Sequence, residues 1–201
     1  MSRRTKWRIA AYVLLAAALT AGWFITLKLA DPRVPGEPDV VFRETPQDAV
    51  DKMLLMARVT KDDVVYDLGC GDARFLTTAA ARYGCRCVGW EMQPHVVEIA
   101  RKKVAEAKVE HLVTIHQGDI FDPKLDIREA TVLTLFLLPD LNVKLIPQIK
   151  TLRPGSRVVS FLFDMKGVQP REQLIYFMPN KKRECRLYLW ETPLDFVQVN
   201  E

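Results

Sequence analysis

The stretch VVYDLGCGDARF at positions 64–75 constrains the fold more than any other part of the chain. A β-branched apolar run passes through one acid, Asp67, into two glycines, Gly69 and Gly71, spaced by a single residue. β-branched residues suit a buried strand. Glycines let the backbone turn sharply and come close to a ligand, because a side chain at either place would fill that ligand's space. An amphipathic pattern follows, so the segment predicts a strand, a tight turn and a helix. In an open parallel sheet, ligands bind beyond the carboxyl ends of the strands, which is where this turn falls.

The same alternation continues downstream. Short apolar runs predict strands at 64–68, 87–91, 113–117, 131–137 and 158–163, with helices at 73–83, 94–107 and 141–152 between them. A helix at 46–57 is expected to precede them: Thr45 offers a capping hydroxyl, Pro46 suits the first helical position, and Val50, Met53, Leu54 and Ala57 share one face. Two further strand-like runs, 174–178 and 186–191, are joined by PNKKRE, which leaves no room for a helix and predicts an antiparallel hairpin at the sheet edge. The expected fold is therefore α/β: a doubly wound, mostly parallel seven-stranded sheet, covered on both faces, with a C-terminal antiparallel hairpin.

The first forty residues differ in kind. Residues 9–27, IAAYVLLAAALTAGWFITL, hold no charge. At ~1.5 Å per residue they reach ~28 Å, close to the hydrocarbon thickness of a bilayer. Trp7, Trp23 and Phe24 lie near the two ends, and Arg3, Arg4, Lys6 and Arg8 precede the run. An uncleaved single-pass transmembrane helix over 1–30 is expected. The competing reading is a cleaved signal peptide, for which Lys28-Leu29-Ala30 is a poor site. Residues 31–40 contain three prolines and a glycine and read as a linker, leaving 41–201 as the folded domain. The leading basic cluster predicts an inside N-terminus and an exported domain, and Lys28 and Arg33 soften that without reversing it. The side of the membrane that the domain faces is left open.

Composition excludes several classes. The formal net charge is +4, and the domain lacks the clustered Lys and Arg of a nucleic-acid-binding surface. Lys181, Lys182 and Arg183 read as a solvated turn. Cys70, Cys85, Cys87 and Cys185 form no C-x-x-C pair and read as free, buried thiols. His95, His111 and His116 show no metal-ligand spacing, so no metal is expected.

The turn narrows the ligand. A dinucleotide fingerprint needs a third glycine at position 74, where this chain has Arg74, so a pyrophosphate is disfavoured. A carboxylate at Asp67 repels phosphate and suits a cation such as S-adenosylmethionine, which carries an ammonium and a sulfonium. The second strand ends in Glu91, twenty residues beyond Gly71, where a carboxylate can accept both hydroxyls of a ribose. The third leads into Gly118-Asp119-Ile120, where an acid can accept from an adenine amino group. Singly, Asp67 reads equally as a cap, Glu91 as a solvated loop acid and Asp119 as a turn residue. Together they place three acids at three successive strand ends.

The motifs D-L-G-C-G-D, G-W-E and Q-G-D resemble those of the class I, seven-stranded S-adenosylmethionine-dependent methyltransferases over residues 45–191. The resemblance implies S-adenosyl-L-methionine as cofactor. Asp67, Gly69 and Gly71, with Leu68 and Cys70 between them, would line its methionine end, Glu91 beside Met92 its ribose, and Asp119 with Ile120 its adenine. Ala73 departs from the glycine that many members carry. More narrowly, T-P-Q-x-x-V-D-x-M-L, L-L-P-D-L-N, P-G-S-R-V-V-S and the apolar N-terminus are similar to a membrane-associated group that includes the ATP synthase c-subunit lysine methyltransferases.

On the acceptor side, the fourth strand runs into Leu137-Leu138-Pro139-Asp140. This differs from the Asp/Asn-Pro-Pro-aromatic motif of adenine amino-methylases. Leu138 and Pro139 suit an apolar wall against the cofactor. Asp140 and Asp164 are candidates to attract a cationic amine, although Asp140 equally suits an N-cap for the helix that follows. Displacement from a sulfonium mainly needs an aligned nucleophile in a dry site, so a dedicated base is dispensable. N-methylation of a protein lysine near a membrane is expected, with methylation of a lipid or quinone precursor, or a non-catalytic cofactor-binding module, as the alternatives.

Overall fold

The structure, a computed structural model, describes residues 44–178 and 183–197. The expected anchor and linker lie outside the described residues, as does the middle of the hairpin connection. No helix among the described residues is long and apolar enough to cross a membrane.

Seven strands form one sheet: β1 (Val64–Leu68), β2 (Arg86–Glu91), β3 (Val113–Gln117), β4 (Val132–Leu135), β5 (Arg157–Phe161), β6 (Glu172–Met178) and β7 (Arg183–Glu191). Their order is β3-β2-β1-β4-β5-β7-β6. The first five are mutually parallel, and β7 runs antiparallel to both β5 and β6. The hairpin expected at the edge is thus present, with β7 inserted between β5 and the edge strand β6. Because the strand order reverses between β1 and β4, the connections after β1 and β4 leave in opposite directions and open a crevice above β1.

The helices α1 (Gln47–Met56), α2 (Arg74–Tyr83) and α3 (Pro94–Glu106) cover one face. There Val50, Met53, Leu54, Leu76 and Val97 pack against Val65, Cys87, Val132 and Val159. On the other face, Leu145, Ile149, Leu152 and Met165 pack against Tyr66, Leu133, Leu135, Val158 and Trp190. Burying one such aliphatic side chain contributes about 1.5–3 kcal/mol. All four cysteines are buried and free, with the Cys85 and Cys87 sulfurs 3.8 Å apart on one side of β2.

Three local expectations are corrected. Thr45 does not cap α1: Pro46 occupies the N-cap without a side-chain bond, and the Thr45 carbonyl accepts from Arg74 instead. The continuous helix expected at 141–152 is two short ones, α4 (Pro139–Lys144) and α5 (Ile146–Ile149). Pro147 lacks an amide donor and crowds the preceding turn, which separates them at Leu145. β4 ends at Leu135, two residues early, because its partner β1 turns away at Gly69.

The amino ends of the strands are clamped by Asp63. Its carboxylate accepts from the Thr131 hydroxyl at 2.6 Å and the Thr60 amide at 2.8 Å, and it pairs with Arg157. Arg157 also donates to the Ala57 carbonyl at 2.7 Å, which brings the end of α1 into the same knot. Burial pushes the Asp63 carboxyl up, but Thr131, Thr60 and Arg157 outweigh it and hold the group below its ordinary range. A depressed carboxyl stabilises above the unfolded value near 3.8 and loses that contribution as pH falls through the folded one. Asp63→Ala should cost about 3–5 kcal/mol, since it leaves Arg157 half-buried without its partner. Denaturant unfolding at pH 7 and pH 3 checks this, and the gap between wild type and variant should shrink at the lower pH.

Candidate functional site

The carboxyl ends of β1, β2 and β4 converge at the Gly69–Ala73 turn. The Gly69 and Cys70 amides both donate to the Trp90 carbonyl at 2.9 Å, folding the turn over the end of β2. Gly69 has φ +83°, and a Cβ placed there would lie 3.4 Å from Leu137 Cδ2 of the post-β4 segment. Gly71 (φ +53°) and Ala73 (φ +61°) are also left-handed. This accounts for glycine at position 73 in the resembling family: the backbone there suits it, and alanine bears strain.

Gly89 carries a second constraint, which composition did not reveal. A Cβ on it would stand 2.6 Å from Leu76 Cδ1 and 2.8 Å from Cys70 Sγ. Strand β2 can lie this close to the turn and to α2 only because that side chain is absent. Burial and the charges of Asp67 and Glu91 push the Cys70 thiol well up, so it stays neutral and serves as packing.

Asp67, paired in register with Thr134 of β4, is 8% exposed and accepts the Thr134 hydroxyl at 2.7 Å. No cation reaches it among the described residues. Burial first, then the nearby Glu91 and Asp72 charges, raise its carboxyl to about 7 against the opposing Thr134 bond. A buried carboxylate left without a counter-charge fits an ammonium-bearing ligand.

Glu91 is buried and accepts from the Gly71 amide at 3.1 Å and the Gln93 amide at 2.9 Å, one on each oxygen. It is thus a structural brace as well as a candidate ligand group, and each oxygen keeps a lone pair for a hydroxyl donor. Met92 beside it is half-buried, and Leu68 is fully buried in the opposite core. Gly118 donates its amide to the Glu91 carbonyl, which sets the end of β3 beside that of β2. Asp119 is exposed, with Oδ1 accepting the Phe121 amide at 2.8 Å in a side-chain turn. Ile120 is buried, and its carbonyl accepts from Gln148 of α5 at 3.2 Å. The Trp90 indole N–H is buried with no acceptor among the described residues.

On the other side, Leu138 is 43% exposed and is itself the N-cap of α4. Asp140 is therefore no cap. It sits exposed in the first turn, and Asp164 is exposed after β5. The described residues hold no His, Cys, Asp and Glu grouping suited to a metal.

Asp72 had not been singled out from the sequence. It is almost fully buried, bound by Arg74 at 2.6 Å and by Lys103 of α3. Arg74 continues to Glu44 at 2.8 Å and to the Thr45 carbonyl at 3.0 Å. The residue that broke the dinucleotide pattern thus ties the approach to α1 onto the glycine turn. Burial pushes the Asp72 carboxyl up, but Arg74 and Lys103 overcome this and hold it at about 2.

A doubly wound sheet with an antiparallel seventh strand, a glycine turn after β1 and acids at the ends of β1 and β2 defines a class I methyltransferase that takes S-adenosylmethionine. The profile of the ANTKMT methyltransferase domain matches residues 67–172, and the chain belongs to that family. It is 38% identical over 154 residues to a protein-lysine N-methyltransferase from Saccharolobus islandicus (strain REY15A), covering 76% of this chain and 94% of that one. A lysine N-methyltransferase of the ATP synthase c-subunit, from Xenopus laevis, is 26% identical over 177 residues, 84% of this chain and 73% of its own. The crystal structure of an RNA methyltransferase from Salinibacter ruber, in complex with S-adenosyl-L-homocysteine, superposes with a TM-score of 0.68 at 42% identity, covering 79% and 97% of the two chains. The resemblance read from the motifs is borne out for the methyltransferase class and for the likeness to lysine N-methyltransferases, including one of the ATP synthase c-subunit.

Asp72→Asn should destabilise the domain by about 2–4 kcal/mol, because two cations lose their shared buried anion. The loosened turn should also weaken S-adenosylhomocysteine binding, which calorimetry on the folded variant measures.

Proposed function

We propose that this methyltransferase acts on a lysine amine of a protein held at a membrane, to which residues 9–27 anchor it. The observation that carries the donor half of this reading is Asp67, a buried carboxylate near the carboxyl end of β1 that no cation reaches among the described residues. In this reading Asp67 takes the ammonium of the donor, with Leu68, Gly69, Cys70 and Gly71 shaping the space around its methionine end. Glu91 and Met92 take the ribose, Asp119 and Ile120 the adenine, and Leu138 lies along the reacting end.

The bound donor supplies a sulfonium methyl group: the amine lone pair forms the N–C bond as the C–S bond breaks, leaving a neutral thioether and a proton for water. The chain need only bring a neutral amine into line and keep the site dry. Leu137, Leu138 and Pro139 supply apolar surface there, and Asp140 and Asp164 at the rim attract the ammonium before it loses its proton. The lysine acceptor is supported by the names of the archaeal and frog relatives, and the membrane setting by the uncharged run and its flanking aromatic and basic residues. A reporter fused to the C-terminus identifies the side of the membrane that the domain faces.

Two measurements test the proposal. The charged form of Asp67 is the one that holds an ammonium, and its unliganded carboxyl lies at about 7. Donor affinity should therefore climb with pH below about 7, by at most about tenfold per unit, and level off above it. Asp67→Asn should weaken binding about 10–100-fold and flatten that dependence, as read by titration calorimetry. Transfer of labelled methyl into membrane protein, lipid extract and total RNA, run side by side, identifies the acceptor. Label confined to lipid or to RNA overturns the lysine assignment.

A further inference from the structure

The carboxyl ends of β4 and β5 carry a group of aromatic rings that the donor site does not use. Phe136 and Phe163 stack with centroids 6.1 Å apart and planes 18° from parallel, while Phe161 meets Phe136 edge-on at 4.9 Å and 66°. Phe161 is fully buried, but Phe136 and Phe163 are only half-buried, so the stacked pair keeps open surface. Leu137, next to Phe136 in the chain, is the side chain that approaches Gly69, so the segment that carries Phe136 runs past the glycine turn.

The backbone is held to present this pair. After Phe161 the chain reverses through Leu162, a non-glycine residue at φ +67°, and the Phe163 amide donates back to the Phe161 carbonyl at 2.9 Å. The fully buried Ser160 donates its hydroxyl to the Phe163 carbonyl at 2.7 Å. Asn142 of α4, also fully buried, donates to the Asp164 carbonyl at 3.0 Å and the Phe163 carbonyl at 3.4 Å. A strained residue fixed by buried polar side chains from two elements is what an over-determined functional loop looks like, whereas simple core filling needs neither. Asp140 in the first turn of α4 and Asp164, which follows Phe163, are both exposed.

We infer that Phe136 and Phe163 form the wall along which the acceptor lysine reaches the donor, and that they set how many methyl groups it receives. The inference rests on the lysine reading above and names the side chains that would act in it. Aromatic faces take the lysine methylenes by apolar contact and the ammonium through the ring quadrupole. Each added methyl enlarges the apolar surface of the ammonium without removing its charge, so such a wall retains partly methylated lysine for further rounds. Ser160 and Asn142 are positioning residues for Phe163.

The test uses the full chain, with membrane protein from cells lacking the enzyme as acceptor. Labelled donor is supplied, and the protein is hydrolysed to resolve mono-, di- and trimethyl-lysine. Phe163→Leu keeps apolar bulk but loses the ring face. It should raise KM for the acceptor by about tenfold and shift the product toward monomethyl-lysine. Its calorimetric affinity for S-adenosylhomocysteine should stay within about twofold of wild type. Phe163→Tyr should restore the wild-type product pattern, and Ser160→Ala should shift it in the same direction as Phe163→Leu. A Phe163→Leu enzyme with wild-type KM and product pattern overturns the inference, as does one whose donor binding falls in step with its activity. Wild type that yields no labelled methyl-lysine instead overturns the lysine reading itself, a result visible before any variant is made.

Discussion

A carboxylate sits inside the sheet at Asp67, hydrogen-bonded to Thr134 and out of reach of any cation among the described residues. Such a group is costly, since burial alone drives it toward the neutral acid. It is tolerated because β1 and β4 are parallel neighbours in a register that puts Thr134 directly beside it, and because the chain breaks from the sheet two residues later. The neighbouring acids make the cost greater, and either a proton or a ligand that brings positive charge offsets it. In the proposed reading, the donor's ammonium supplies the counter-charge at the ends of β1, β2 and β4.

Two of the other three buried acids have the opposite environment. Asp63, at the amino ends of the strands, and Asp72, at the carboxyl ends, are each closed by guanidinium or ammonium groups and held below the ordinary carboxyl range. They are fasteners: Asp63 joins β1, β4, β5 and the end of α1, and Asp72 joins the glycine turn to α3 and the approach to α1. Acids of one chemical type, separated by a few residues, thus divide by whether the protein supplies their counter-charge: Asp63 and Asp72 have one, and Asp67 has none among the described residues.

The sheet was legible because its signals are local. β-branched runs, a glycine turn and a short hairpin connection can each be read within a dozen residues, and every expected strand is present within two residues at most of its ends, apart from the earlier start of β7. The helix at 141–152 was misread because its apolar spacing continues through Pro147, whose missing amide donor outweighs the pattern. Thr45 has the residue type of a cap, but Arg74, twenty-nine positions away, draws its carbonyl elsewhere. Asp72 stood inside the quoted motif without a role because Lys103, thirty-one positions on, gives no sequence signal of its own. Asp119 combines two readings, for its exposed carboxylate makes the turn that the plain reading expected and still lies at the end of β3. The acceptor side was least legible of all: Phe163 gains its place only through Ser160, Asn142 and the reversal at Leu162, a conjunction of three elements.

The carboxyl edge of the sheet thereby divides into two chemical halves. Over β1, β2 and β3 lie acids and exposed backbone, suited to a polar, cationic nucleoside. Over β4 and β5 lie Leu137, Leu138, Phe136 and Phe163, with carboxylates only at the rim. In the proposed reading, an amine that crosses from the rim to the rings leaves water and two anions; the ring quadrupole still attracts its charged form, but the lost hydration outweighs that attraction, disfavours the proton and exposes the lone pair that displacement needs. No residue has to act as a dedicated base if the path itself removes the reasons for the amine to keep its proton. On that account no histidine or paired carboxylate is needed among the described residues of this half, and in the proposed reading catalysis depends on how firmly the loop after β5 holds its ring.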